Sequence, residues 1–200
     1  MNKTILFIGG GVESVPGIRS AKSLGLRVIV SDYSPSAPGF QLSDYSIVSS
    51  TYDIEGTWRE VEVYLKLEGP IHGVLSVATD VPLTVASIAK RLGTPGISID
   101  AAKLSMDKIA MKVRFRESGI PIPWFSEVFS VDEIRSALDN IPELIIKPVD
   151  SRGARGVQRI SDKAEIVEAF KNAKENSPSG RVMIEEFLSG HQIKIGRAHV

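Results

Sequence analysis

Residues 145–157 read IIKPVDSRGARGV, an apolar strand that delivers Lys147 into a loop of glycines and arginines. A lysine at the end of a strand can be an ordinary edge residue whose stem snorkels along apolar surface. The loop carries more information. Between Asp150 and Gly156 lie Ser151, Arg152, Gly153, Ala154 and Arg155. The two glycines let successive backbone N–H groups turn inward as an anion-binding nest, and they let the loop close as a lid. In the plainer alternative, Arg152 and Arg155 merely cap the tip of a hairpin. ELIIKPV and VQRI read as the two strands on either side.

Downstream, DKAEIVEAFKNAKEN has helical spacing, ENSPSG is an exposed turn, and RVMIEEFL is a further strand. That strand ends on Glu185 and Glu186, followed by Phe187 and Leu188. A carboxylate or carbonyl there can accept from an adenine amine while a backbone N–H donates to the ring. Strand side chains alternate, so one of the two glutamates faces away from any ligand. Upstream, WFSEVFS reads as a strand and VDEIRSALDN as a helix. Before them, AAKLSMDKIAMKVRFRES reads as one long helix, capped by Asp100 and ended by Gly119 and the run IPIP. Lys108, Lys112 and Arg116 then form a basic stripe along one solvated helix face.

The first hundred residues have another rhythm. TILFIGG, RVIVSD, YSIVSS and GVLSVA are short apolar strands, and helical segments alternate with them, which predicts a parallel sheet covered on both faces. The prolines and glycines of GTPGISID mark the boundary. The expected fold class is α/β: a Rossmann-like parallel-sheet domain over 1–98, then an α+β domain over 99–193.

Gly9, Gly10 and Gly11 follow the first strand, where a dinucleotide's pyrophosphate could rest on a helix N-terminus, and Asp32 could hold a ribose. Ser14 stands where that fingerprint calls for glycine or alanine. A tight turn serves the same residues equally well, and Asp80 reads most simply as a helix cap. Two rival functions follow from this turn: a nicotinamide-dependent oxidoreductase, or a non-catalytic dinucleotide-binding module.

Composition narrows the field. Lys and Arg number 24, as do Asp and Glu, so no global field attracts nucleic acid or an acidic membrane, and any anion site is local. There is no cysteine and there are only three histidines, which leaves no disulfide, no thiolate nucleophile and little for a transition metal. No stretch reaches the ~20 apolar residues of a membrane span, and the N-terminal run is too short for a signal peptide, so a cytoplasmic protein is expected.

With MDKIAMK, IIKPVDSRGARGV and IEEFLSGHQ in this order, the chain resembles the ATP-grasp superfamily of carboxylate–amine ligases, over essentially residues 1–193. The resemblance implies ATP and magnesium as cofactors and small-molecule carboxylate and amine substrates. It leaves homodimeric assembly open and involves no nucleic acid or membrane. It implies that Lys108 and Lys147 contact ATP phosphates and that Ser151, Arg152, Gly153, Ala154, Arg155 and Gly156 cover them. Glu185, Glu186, Phe187 and Leu188 form the adenine hinge, and Gln192 stands where many members place a ribose-binding glutamate. The activity implied is phosphorylation of a carboxylate followed by attack of an amine. A regulatory ATP-binding protein without turnover is the remaining alternative.

The last six residues, IGRAHV, are the translation of ATC GGA AGA GCA CAC GTC, part of a widely used sequencing-adapter sequence. Residues 194–200 are therefore read as a non-native tail. Magnesium ligands are expected beyond the adenine hinge, past the end of this chain. No residue of the chain is singled out as a catalytic group, and the chain by itself is expected to be inactive.

Overall fold

The computed structural model describes residues 3–191. Gln192 and the tail at 194–200 lie outside the described residues. The chain divides between Met106 and Asp107 into two compact units.

The first unit alternates strand and helix: β1 (Thr4–Ile8), α1 (Val15–Ser23), β2 (Arg27–Asp32), β3 (Tyr45–Val48), α2 (Ile54–Leu67), β4 (Gly73–Leu75), α3 (Pro82–Leu92) and α4 (Ile99–Met106). All strand pairs are parallel, in the order β3-β2-β1-β4. Both faces of this sheet are buried, which is why its strands are continuously apolar. Leu6, Ile8 and Ile29 pack on one side with Val61 and Tyr64 of α2 and Ile88 of α3. Phe7, Val28 and Val30 pack on the other with Ile18 and Ala21 of α1.

The glycine turn after β1 is closed by its own neighbours. The Gly10 N–H donates to Asp32 Oδ2 at 2.8 Å, and Oδ1 of the same carboxylate accepts from the Ser34 N–H at 2.9 Å. The Gly39 N–H in turn donates to the Gly10 carbonyl at 2.7 Å. A single-turn 3₁₀ helix at Val12–Ser14 comes next, with Gly11 before it. Asp32 is thus spent on the turn, which disfavours the ribose role of the dinucleotide reading. The cap expected of Asp80 falls instead on Val81, with Pro82 at the first helical position.

The second unit runs α5 (Lys108–Glu117), β5 (Phe125–Val128), α6 (Val131–Leu138), β6 (Leu144–Pro148), β7 (Gln158–Ile160), α7 (Ile166–Glu175) and β8 (Val182–Glu186). Its strands pair antiparallel in the order β5-β8-β6-β7. Leu144, Ile146, Val182 and Ile184 form one core with Val128, with Ile134 of α6 and with Ile166, Ala169 and Ala173 of α7.

The single long helix read across 101–118 is two helices. Asp107 breaks it: its backbone is extended, and its Oδ1 accepts from the Ala110 N–H at 2.9 Å, capping α5 afresh. The cap of α4 is likewise Ser98, whose Oγ accepts from the Ala101 N–H at 3.0 Å, and Asp100 lies one residue inside the helix. With α4 in the first unit, the division falls at this break, eight residues later than the proline–glycine cluster suggests.

A Cβ placed on Gly39 would lie 2.8 Å from Ile18 Cδ1 and 2.9 Å from the Gly10 Cα, whereas one on Gly11 would meet nothing within 4 Å. Gly39→Ala is therefore expected to destabilise the chain by roughly 1–3 kcal/mol through overpacking, and Gly11→Ala to be neutral. Urea denaturation of the two variants checks this, and equal midpoints would contradict it.

Candidate functional site

The register of β6 against β8 pairs Ile145 with Glu185 and Lys147 with Met183. Because strand residues alternate, Lys147 and Glu185 emerge on the same face, opposite the one that packs on α6 and α7. Lys147 Nζ donates to Glu185 Oε1. A second ammonium, Lys112 Nζ from α5, lies 2.7 Å from Oε2. The three side chains are only 10%, 16% and 14% exposed for Lys112, Lys147 and Glu185. Burial pushes the Glu185 carboxyl upward, but the hydrogen bonds and charges of Lys112 and Lys147 outweigh it and hold the group below the usual carboxylate range. The solvated basic stripe expected on α5 does not hold for Lys112, which is buried because its helix face turns onto the sheet.

Lys108 is tied to the root of the glycine loop. Its backbone N–H donates to the Val149 carbonyl at 3.1 Å. Its Nζ reaches the carbonyls of Val149 at 3.3 Å and Ser151 at 2.7 Å. Asp150 fixes the same root from the other side, with Oδ1 accepting from Ser177 Oγ at 2.6 Å and Oδ2 from the Ser179 N–H at 3.0 Å. Burial raises the Asp150 carboxyl, and these bonds more than offset it, leaving it lowered. At the far end of the loop Gly156 adopts a left-handed φ of +71°, and a Cβ there would lie 2.9 Å from both Asn176 Cβ and Pro148 Cγ. Gly153, at φ +67°, has open space around it. Ala154 and Arg155 are exposed, while Ser151 and Arg152 are half-buried.

Arg181, at the entry to β8, joins the parts. Its Nε and Nη2 donate to the two oxygens of Glu127 at 2.6 and 3.0 Å, and its Nη1 donates to Asp107 Oδ2 at 2.6 Å. The bonds to Glu127 and Asp107 raise the guanidinium above its usual range. At Asp107, burial acts upward, and the Ala110 N–H with Arg181 brings the carboxyl down. One carboxylate therefore caps α5 and ties it to Arg181 at the entry to β8, which fixes the start of the helix that carries Lys108.

In the hinge segment, the Glu186 N–H donates to the Trp124 carbonyl at 2.9 Å and the Phe187 N–H to the Glu143 carbonyl at 3.0 Å. The Phe187 ring lies under the Arg159 guanidinium, 4.2 Å from its centroid. Leu188 is exposed and Glu186 half-buried. Lys108, Lys147, the 151–156 loop and Glu185 thus belong to one assembly within the second unit. Lys112, Asp107, Asp150 and Arg181 complete it, although none had been singled out as a site residue. Lys112 carried a signal: it lies four residues after Lys108, on the same helical face.

No protein-family model matches the chain. It is 31% identical over 197 residues to the formate-dependent phosphoribosylglycinamide formyltransferase of Prochlorococcus marinus subsp. pastoris, covering 94% of this chain and 48% of that protein. Among solved structures, N5-carboxyaminoimidazole synthetase from Staphylococcus aureus, complexed with ADP, superposes with a TM-score of 0.73 at 20% identity, over 94% of this chain and 48% of that one. The biotin carboxylase domain dimer of the Hydrogenobacter thermophilus 2-oxoglutarate carboxylase, in complex with MgADP, ADP and bicarbonate, does so at 0.72 and 18%, over 94% and 45%. The fold shared with these structures is an α/β arrangement of a parallel sheet followed by an antiparallel one. In sequence and in fold the chain is similar to ligases of the ATP-grasp superfamily. It spans about half the length of the curated relatives it matches.

The lowered carboxyl of Glu185 has a consequence for stability. A group with a depressed folded pKa contributes stability that is present above its unfolded pKa, about 4, and is lost as pH falls through the folded value. Asp107 and Asp150 act in the same direction. Glu185→Gln is expected to cost roughly 3–5 kcal/mol at pH 7 and to make the acid limb of a stability–pH curve shallower. Urea midpoints measured from neutral pH down to about pH 2 test this, and an acid limb as steep as the unmodified protein's would contradict it.

Proposed function

We propose that this chain forms the nucleotide-binding part of an ATP-dependent ligase, one that joins a small-molecule carboxylate to an amine or related nucleophile. The observation that carries the reading is that Lys108 is bonded to the root of the glycine loop, while Lys147, on the strand that leads into that loop, is paired with Glu185 at the end of the neighbouring hinge strand. On this reading Lys147 and Lys108 neutralise phosphate charge, and the loop from Ser151 to Gly156 excludes water from above. The Glu186 and Phe187 N–H groups are taken by Trp124 and Glu143, so we assign the donor to the adenine ring to the Leu188 N–H and the acceptor to a hinge carbonyl. Phe187 is steadied by Arg159, and Gln192 is assigned to the ribose.

The chemistry supplied by bound ATP is phosphoryl transfer to a carboxylate, which makes the carboxyl carbon open to attack by the amine. Among the described residues, no group of three His, Cys, Asp or Glu side chains is placed to hold a metal ion. We assign magnesium to the nucleotide phosphates, with one or two carboxylates completing its oxygen shell. Relatives and neighbours support the reading through their own ligands: ADP for the synthetase, MgADP and bicarbonate for the carboxylase domain. That domain is also a dimer, and a homodimer is the assembly we assign to the complete enzyme. No helix among the described residues is long and apolar enough to cross a membrane, and we place the enzyme in the cytoplasm.

MgATP is expected to raise the melting temperature of the chain by a few degrees, through linkage to binding, and NAD to leave it unchanged. Lys147→Ala is expected to weaken MgATP binding about tenfold or more, from the lost charge-assisted contact. Calorimetric titration, with thermal melting as the fold control, checks both. Stabilisation by NAD alone, or undiminished affinity in the variant, would overturn the proposal.

A further inference from the structure

Glu185 is held by two ammonium groups that differ in what else holds them. Lys112 stands on α5, whose start is locked by Asp107 and Arg181. It is 8% exposed, and its Nζ lies 5.5 Å from the centroid of the Phe125 ring on β5. Arg116 covers the same ring at 5.3 Å, so Lys112 is hemmed in by an aromatic face and a like charge. Lys147 instead leaves β6 directly at the glycine loop, where a bound phosphate competes with Glu185 for its ammonium. If Lys147 were the sole partner, that competition would leave a buried carboxylate without a counter-charge, a costly state.

We propose that Lys112 is the resident partner of Glu185, a positioning residue that keeps its carboxylate fixed on the sheet face while Lys147 moves to a bound phosphate. The destination of Lys147 rests on the nucleotide reading above; the Lys112–Glu185 pairing does not. Four charged or aromatic groups face the carboxylate or border it: Lys112 and Arg116 from α5, Lys147 from β6, and Phe125 from β5. With Lys147 gone, Lys112 is the ammonium still paired with Glu185, held against the Phe125 ring.

The test follows the Glu185 carboxyl by carbon NMR in the whole chain labelled at glutamate, titrated with acid. Lys147→Met reproduces the departure of Lys147 without any nucleotide. In that variant Glu185 is expected to stay below the ordinary carboxylate midpoint. Adding Lys112→Met should raise it by about one pH unit or more, and Lys112→Arg in its place should restore it. A Lys147→Met variant in which Glu185 already titrates at or above the ordinary value would overturn the proposal, even if the double variant fails to fold. In the otherwise unmodified chain, saturating MgATP should leave Glu185 low; in Lys112→Met it should raise it. An equal rise in both would also overturn the proposal. If MgATP produced no change in melting temperature or spectrum of the unmodified chain, the nucleotide reading would fall, and the Lys147→Met result would still decide the role of Lys112.

Discussion

Two adjacent antiparallel strands, β6 and β8, impose the constraint on which the second unit depends. Their two-residue period sends Leu144, Ile146, Val182 and Ile184 into the core with α6 and α7, and Lys147 and Glu185 to the opposite face. A slip of one residue would bury the Lys147 ammonium on β6, or the Glu185 carboxylate on β8, in the apolar core and expose an aliphatic side chain in its place, so the core enforces the register of the polar face. The chemistry on one side is held in alignment by hydrophobic packing on the other. Fully burying each large aliphatic side chain contributes about 1.5–3 kcal/mol, well above what an isolated surface ion pair adds.

The polar face is organised around carboxylates that each do two jobs. Asp107 ends one helical path, begins another, and accepts from Arg181. Asp150 anchors the loop root to the turn before β8 through Ser177 and Ser179. Glu185 gathers two lysines from different elements. Such groups are stable as anions only because every one of them is bonded to donors, and they lock α5, the loop and β8 into one frame.

Much of this was legible in the sequence, and the parts that were not have physical reasons. The alternation that separates Glu185 from Glu186 is a local property of any strand, so it could be read directly. The parallel sheet of the first unit was visible because strands buried on both faces are continuously apolar. The break at Asp107 was hidden, since the flanking residues are good helix formers; the outcome turned on whether the aspartate side chain would cap Ala110 rather than point to solvent. The burial of Lys112 depends on which side α5 turns to the sheet, a tertiary fact that a basic stripe cannot reveal. For Asp32, the chain around it suggested a ribose contact, but the close approach of Gly39 to Gly10 recruits the carboxylate to the turn.

The anchoring of the glycine loop at both ends makes it a tether of fixed length. Asp150 is bonded at one end, and Gly156 is wedged against Pro148 and Asn176 at the other. Six peptide steps join them, a contour of about 20 Å at ~3.3–3.6 Å per residue, so the midpoint of the loop can rise no more than about 10 Å above the line between its anchors. That height bounds what the loop can cover, and it leaves anything farther from the sheet to be enclosed by other groups.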